Sequence, residues 1–394
     1  MSYEKNIETD DTKRWLNTQL IHGGVDGDER TGAVSVPIYQ TSTFEQDGLG
    51  KDRGYEYSRT GNPTREALEK LIAELEGGTH GFAFASGMAA ITTVLFLFKA
   101  GDRVLISNNV YGGTFRVLDK VFAKFGLKYS FVDTSDLSEV KRNLTDDVKA
   151  VLIESPANPL LSITDIRGVS RLAKVRNIIT IVDNTFMTPY LQRPLSLGAD
   201  IVIHSATKYL AGHSDVISGL VVVKDAALAE DLHFLQNATG GILQPWDSWL
   251  TIRGIKTLGV RMDRHLEGAA FVVDFLQGHL GVDKLYYPGL PDFPGYAVQT
   301  EQAEGAGAMI SFVLAKEYDI DRFFGNLGIL TLAESLGGVE SLISRPASMT
   351  HASFPAEVRE KIGITDRLIR ISVGIEDKRD IVESLGAAFA HARM

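Results

Sequence analysis

Between about residues 63 and 256, short apolar runs rich in Val and Ile alternate with segments whose apolar positions recur at helical spacing. The runs at 103–107, 129–133, 150–154, 178–183, 200–204 and 220–223 predict strands, because β-branched residues fit a pleated, buried surface. The segments 114–125, 137–143 and 165–175 predict helices. Strand and helix in alternation predict a mostly parallel sheet covered on both faces, joined by right-handed crossovers. The last third reads differently. Predicted helices at 263–277 and 378–391 bracket strands at 285–287, 308–315 and 368–373, which points to a smaller α+β unit. Residues 1–62 carry few periodic segments, and their aromatic-polar stretch 54–59 suits an extended arm on a neighbouring subunit. The expected division is therefore an arm over 1–62, a large sheet domain over 63–256 and a C-terminal α+β domain over 257–394.

One uncharged stretch, 81–98, has about the length needed to cross a bilayer. Its interruption by Ala85-Ser86-Gly87 predicts instead a strand followed by a buried helix. Net charge narrows the partners. The chain carries 40 basic and 50 acidic residues, formally −10, with no long basic run to offset them, so neither a phosphate backbone nor an anionic membrane surface is an expected partner. There is no cysteine, which excludes disulfides, thiolate nucleophiles and Cys-based metal sites. The nine histidines form no H-x-x-x-H pair, and no metal site is expected. The N-terminus lacks the apolar core of a secretion signal, so the expected compartment is the cytoplasm.

In open α/β sheets, ligands bind at the carboxyl ends of strands. Here those ends read Glu154-Ser155-Pro156-Ala157-Asn158-Pro159, then Asp183-Asn184-Thr185, then His204-Ser205-Ala206-Thr207-Lys208. An Asp or Asn after a strand is ordinarily a turn residue; three polar ends in succession, closing on a lysine, suit chemistry better. A lysine amine freed of its proton by desolvation forms a Schiff base with a carbonyl, and pyridoxal 5'-phosphate supplies such a carbonyl. That cofactor's pyridine nitrogen needs a carboxylate, for which Asp183 is suited. Its phosphate needs hydroxyls and helix N-terminal N–H groups, available from Ser205, Thr207 and the Ser86-Gly87-Met88 turn. Its ring needs an aromatic face, for which Tyr111 is a candidate. No strand opens into G-x-G-x-x-G, which argues against a nicotinamide dehydrogenase.

These features belong to a longer pattern: Y-S-R-T-G-N-P-T (57–64), A-S-G-M-A-A (85–90), N-V-Y-G-G-T (109–114), E-S-P-A-N-P (154–159), I-V-D-N-T-F (181–186), S-A-T-K-Y-L-A-G-H-S-D (205–215), E-S-L-G-G-V-E-S-L (334–342), M-T-H-A (349–352) and L-I-R-I-S-V-G-I-E-D (368–377). The chain thereby resembles the pyridoxal-phosphate enzymes of transsulfuration, the family of the cystathionine lyases, cystathionine γ-synthase and methionine γ-lyase. The resemblance implies a fold-type I enzyme, with a large, mostly parallel sheet domain of the seven-stranded type and a smaller α+β domain. It also implies a homotetramer of two active-site-sharing dimers.

Residue by residue, the resemblance implies that Lys208 binds the cofactor and shuttles protons, Asp183 partners the pyridine nitrogen and Tyr111 stacks on the ring. Gly87, Met88, Ser205 and Thr207 would cradle the phosphate, joined by Tyr57 and Arg59 of the neighbouring subunit. Ser335 would orient the lysine, Asn158 would lie near the ring hydroxyl and the substrate carboxylate, and Arg370 would clamp the α-carboxylate. Glu56 and Glu334 resemble an acidic pair facing the distal ammonium of cystathionine, with Arg116 in the same pocket. Gly113 stands where methionine γ-lyases commonly carry cysteine, and the stretch Glu334-Ser335-Leu336 lacks the aromatic pair of one β-lyase type. The expected activity is cystathionine γ-lyase, with γ-synthase and then β-lyase as alternatives; a non-catalytic relative would be expected to lose Lys208 or Arg370, and both are present.

Overall fold

A computed structural model describes residues 15–24, 27–28, 30–349, 357, 359 and 363–394. Its larger sheet has seven strands: β1 (His80–Phe84), β2 (Arg103–Ser107), β3 (Lys128–Val132), β4 (Val148–Glu154), β5 (Ile179–Asp183), β6 (Ile201–His204) and β7 (Gly219–Val223). They lie in the order β1-β7-β6-β5-β4-β2-β3. Strands β3, β2, β4, β5 and β6 are mutually parallel, and only β7 runs against its neighbours. The mostly parallel sheet read from the alternation is thus present, with strand ends shifted by a residue or two.

Both faces are buried, as a parallel sheet requires. Along β4, Leu152 packs with Ile106, Ile181 and Ile203 on one side, while Val151 and Ile153 pack with Leu105, Val182 and Val169 on the other. The uncharged stretch 81–98 resolves into β1 and the helix Gly87–Leu95. Among the described residues, no helix is long and apolar enough to cross a membrane.

The smaller sheet comprises β8 (Val282–Tyr286), β9 (Met309–Leu314), β10 (Thr331–Leu332), β11 (Leu342–Ser344) and β12 (Leu368–Ser372), in the order β10-β11-β12-β9-β8. It is antiparallel except at β10–β11. The helices Leu258–Leu276 and Lys378–Ala392 share its core: Val272, Leu276, Leu385 and Phe389 pack with Phe312, Ile369 and Ile371. The same cluster continues to Val202, Leu220 and Val222 of the larger sheet, so apolar packing joins the two sheets.

Several elements differ from expectation. The helix expected over 114–125 ends at Lys120 and gives way to a 3₁₀ turn, Phe122–Phe125, closed by Gly126 at φ 83°. The helix expected from 263 begins at Leu258. The helix Pro63–Glu76 has strong local signals at both ends: the Asn62 side chain accepts the Thr64 and Arg65 N–H groups, Pro63 occupies the first position, and Gly77 closes it at φ 68°. Of the M-T-H-A segment, residues 350–352 lie outside the described residues.

Candidate active site

The carboxyl ends of β1, β2, β4, β5 and β6 open onto one cavity of about 460 Å³, lined among others by Gly87, Met88, Tyr111, Glu154, Asn158, Asp183, Ser205, Thr207 and Lys208. From the smaller sheet come Glu334, Ser335 and Arg370. A larger cleft of about 780 Å³ runs along Asn109, Ser162, Asp165, Lys284 and Tyr286, but it holds neither Lys208 nor Asp183.

Lys208 lies four residues beyond the end of β6, and its Nζ donates to Ser335 Oγ at 2.8 Å. Ser335 holds φ at 99°, a conformation that costs a non-glycine residue. Outliers of this kind concentrate at sites whose geometry is imposed by the surroundings. Burial lowers the Lys208 pKa from its ordinary 10.5 to about 8, helped by the nearby Arg370 charge and opposed by Glu334 and Asp183. The amine is therefore far closer to its neutral, nucleophilic form at physiological pH than a surface lysine.

Asp183 ends β5. Its Oδ1 accepts the Thr185 N–H at 3.0 Å and the Thr185 hydroxyl at 2.5 Å. Thr185 Oγ1 in turn accepts the Ser205 N–H at 2.8 Å, which locks the ends of β5 and β6 together. Burial raises the Asp183 pKa, while the Thr185 contacts and the charges of His204 and Lys208 pull it back.

Beside it, Ser86 caps the helix Gly87–Leu95 by accepting the Ala89 N–H at 3.0 Å. Gly87 is required there by space: a Cβ would stand 2.8 Å from the Ser205 Cβ. Thr207 Oγ1 both donates to Ser218 O, at 3.2 Å, and accepts the Ser218 N–H, at 3.0 Å. Tyr111 precedes the helix Gly112–Lys120, its ring partly exposed at the cavity wall. A Cβ at Gly113 would meet Tyr111 Cε1 at 2.4 Å, so glycine at 113 leaves room for the ring in this position.

Arg370, brought in by the smaller sheet, is buried. Its Nη1 donates to Asn158 Oδ1 at 2.8 Å and its Nη2 to Ser335 O at 3.0 Å, while Nε has no acceptor. Burial lowers its pKa to about 10, which leaves it cationic. An anchored guanidinium with a free donor suits a carboxylate.

Glu56, Tyr57, Arg59 and Arg116 fall outside this chain's cavity. Glu56, Tyr57 and Arg59 are exposed, and Arg59 donates to Asn237 O at 2.8 Å while lying 5.6 Å from the Tyr57 ring centroid. Arg116 is exposed on the helix Gly112–Lys120 and does not line the cavity. Glu334 is exposed but does line the cavity, next to Ser335. Among the described residues no cluster of three or more potential metal ligands occurs. One residue missed from the sequence is Glu154, buried in the cavity wall; its position at a strand end was visible, but its partners were not.

A lysine with a depressed pKa, a half-buried carboxylate held by neutral donors and a helix N-terminus facing the cavity fit the carbonyl, ring nitrogen and phosphate of pyridoxal 5'-phosphate. Together with the sheet that gathers them, they define a pyridoxal-phosphate-dependent enzyme of fold type I. Residues 17–390 match the family described as Cys/Met metabolism PLP-dependent enzymes, and the chain belongs to that family. It is 57% identical to cystathionine gamma-lyase of Bacillus subtilis over 371 residues, 94% of this chain and 98% of that protein. It is 55% identical to cystathionine beta-lyase of Lactococcus lactis over 373 residues, 95% and 98% of the two chains. A crystal structure of cystathionine gamma-lyase from Lactobacillus plantarum, complexed with L-serine, superposes with a TM-score of 0.95 at 53% identity, covering 96% of this chain and 99% of that one.

The depressed Lys208 pKa makes a direct prediction. Only the neutral amine attacks the cofactor's aldehyde, so capture by the cofactor-free protein should quicken roughly tenfold per pH unit up to about pH 8 and then level off. An unperturbed lysine would keep accelerating toward its ordinary value of 10.5. Initial rates of borohydride-trapped pyridoxyl-Lys208, measured across pH, distinguish the two.

Proposed function

We propose that the protein is a cystathionine γ-lyase, converting cystathionine and water to cysteine, 2-oxobutanoate and ammonia. The observation that carries this reading is the meeting of Lys208, Arg370 and Glu334 on one cavity, which offers a base, an α-carboxylate clamp and an acidic group for a second ammonium. An ammonium drawn into a cleft needs such a carboxylate to offset its desolvation. The Bacillus subtilis relative supports γ-cleavage. The Lactococcus lactis relative gives β-cleavage of the same substrate as the second reading.

When bound, pyridoxal 5'-phosphate supplies the electron sink that makes the substrate's Cα–H acidic. The protein's part is placement and proton movement. Arg370, steadied by Asn158, receives the α-carboxylate and fixes which Cα bond faces Lys208. The Lys208 amine, held by Ser335, takes the Cα proton and then serves the Cβ position. The Tyr111 hydroxyl would protonate the departing sulfur, and Asp183 would hold the ring nitrogen.

The same reading divides the chain into an arm over 1–62, a cofactor domain over 63–256 and a C-terminal domain over 257–394. The arm lends Tyr57, Arg59 and Glu56 to a neighbouring subunit's site, in a tetramer of two such dimers; their exposure outside their own chain's cavity supports this. Mixing inactive Arg59→Ala and Lys208→Ala proteins under subunit exchange should then restore activity, because some hybrid sites carry neither defect. No recovery despite verified exchange would mean that each site is built within one chain.

Product analysis with cystathionine tests the activity itself. Cysteine and 2-oxobutanoate are expected; homocysteine and pyruvate would establish β-cleavage, and turnover confined to an activated homoserine plus cysteine would establish γ-replacement. Glu334→Gln keeps shape and removes charge, so it should lower kcat/KM for cystathionine about 10- to 100-fold, the loss of a charged hydrogen bond. Elimination from a substrate without a distal ammonium should be spared. An equal loss on both substrates would reduce Glu334 to a local structural role.

A further inference from the structure

Glu154 ends β4, is 7% exposed and lines the cavity. Its Oε1 accepts the Tyr111 N–H at 2.7 Å, and the nearby Asn158 backbone N–H also favours its charged form. One side chain therefore fastens the segment after β2 to the end of β4. The parallel register pairs Glu154 with Asp183 on β5, which sets both carboxyls on the same face of adjacent strands. The charged group nearest in effect to Glu154 is this second carboxylate, not a cation.

We propose that Glu154 is a positioning residue: as the neutral, proton-carrying member of a carboxyl pair with Asp183, it holds the Tyr111 backbone in place beside the cofactor. The inference rests on the roles given above to Tyr111 and Asp183. Two carboxylates side by side in a poorly solvated site cannot both ionise without a penalty, and the proton stays where the charged form is supported least. Burial, and then the Asp183 charge, raise the Glu154 pKa, with only the two backbone N–H groups opposing. Asp183 has the Thr185 hydroxyl and N–H and the charges of His204 and Lys208 on its side. The proton accordingly belongs to Glu154, which leaves Asp183 ionised for the ring nitrogen while the Glu154 carbonyl oxygen still accepts the Tyr111 N–H.

The test compares Glu154→Gln, Glu154→Ala and Asp183→Asn. The measurements are pyridoxal 5'-phosphate affinity of the cofactor-free protein and visible circular dichroism of the bound cofactor. Glutamine is a neutral acceptor of the same shape, so its Kd should stay within about threefold of the wild type, with the dichroic band kept. Alanine leaves the Tyr111 N–H without its acceptor, and should weaken the Kd by about 10- to 100-fold with a diminished band. Infrared difference spectra of the wild-type holoenzyme should show a protonated carboxyl band that Glu154→Gln removes, a readout that survives even if the alanine variant fails to fold. Alanine equal to wild type, glutamine as damaging as alanine, or no protonated-carboxyl band assignable to Glu154 would each overturn the inference. Asp183→Asn should weaken cofactor binding. If it does not, the reading of the site itself falls, whereas a normal Asp183 result with any of the three adverse outcomes removes only the role of Glu154.

Discussion

Lys208→Ala should reduce turnover by at least about 10²–10⁴-fold, the range that proton transfer by a positioned side chain contributes, and should abolish any borohydride-stable adduct. The folded chain should not suffer in parallel. Lys208 is held in a poorly solvated place beside the like charge of Arg370, so removing its ammonium relieves desolvation and repulsion. The alanine variant, free of cofactor, is therefore expected to melt at or above the temperature of the cofactor-free wild type. Retained activity, or an adduct on another lysine, would refute the assignment. A large drop in melting temperature would show instead that the Nζ–Ser335 contact is chiefly structural.

Arg370→Leu should cost nearly as much, by another route. Truncating one partner of a buried, hydrogen-bonded charge pair costs about 2–5 kcal/mol, which corresponds to about a 30-fold to several-thousand-fold loss in kcat/KM for an amino-acid substrate. Arg370→Lys should recover little, because an ammonium cannot reproduce the planar fork that spans Asn158 Oδ1 and Ser335 O. A second consequence separates a clamp from a purely structural arginine. Arg370 is the second cause of the depressed Lys208 pKa, so in Arg370→Leu the pH profile of cofactor capture should move upward. An unmoved profile with a uniform loss of stability would argue that Arg370 serves packing alone.

Much of the larger sheet was legible because its strands are short Val- and Ile-rich runs bounded by polar turns, and a buried parallel sheet demands such runs. The run 103–107 and the helix 137–143 keep the bounds read from the pattern. The helices Ala226–Thr239 and Pro245–Ile255 were not read, and the reason is visible in their burial. Phe234 and Trp246 are exposed while Gln236 and Thr251 are buried, so no apolar stripe marks one face. Strand β10 is two residues long, too short for any periodicity.

The chemistry divides along a similar line. The order of polar strand ends, the lysine after β6 and the glycine turn after β1 are local features, because a parallel sheet delivers every strand's carboxyl end to the same edge. The family pattern extends that reading to Ser335 and Arg370, although no spacing along the chain places them near Lys208. Their approach is a matter of distance. Ser335 and Arg370 meet Lys208 and Asn158 across more than a hundred positions, because one apolar core joins the small sheet to the large one. Burial then sets the lysine's pKa, and register alone sets Glu154 against Asp183. Residue type and strand order reside in the chain, whereas desolvation and proximity, the terms that turn an ordinary lysine and two ordinary carboxylates into a reactive set, exist only once the chain has packed.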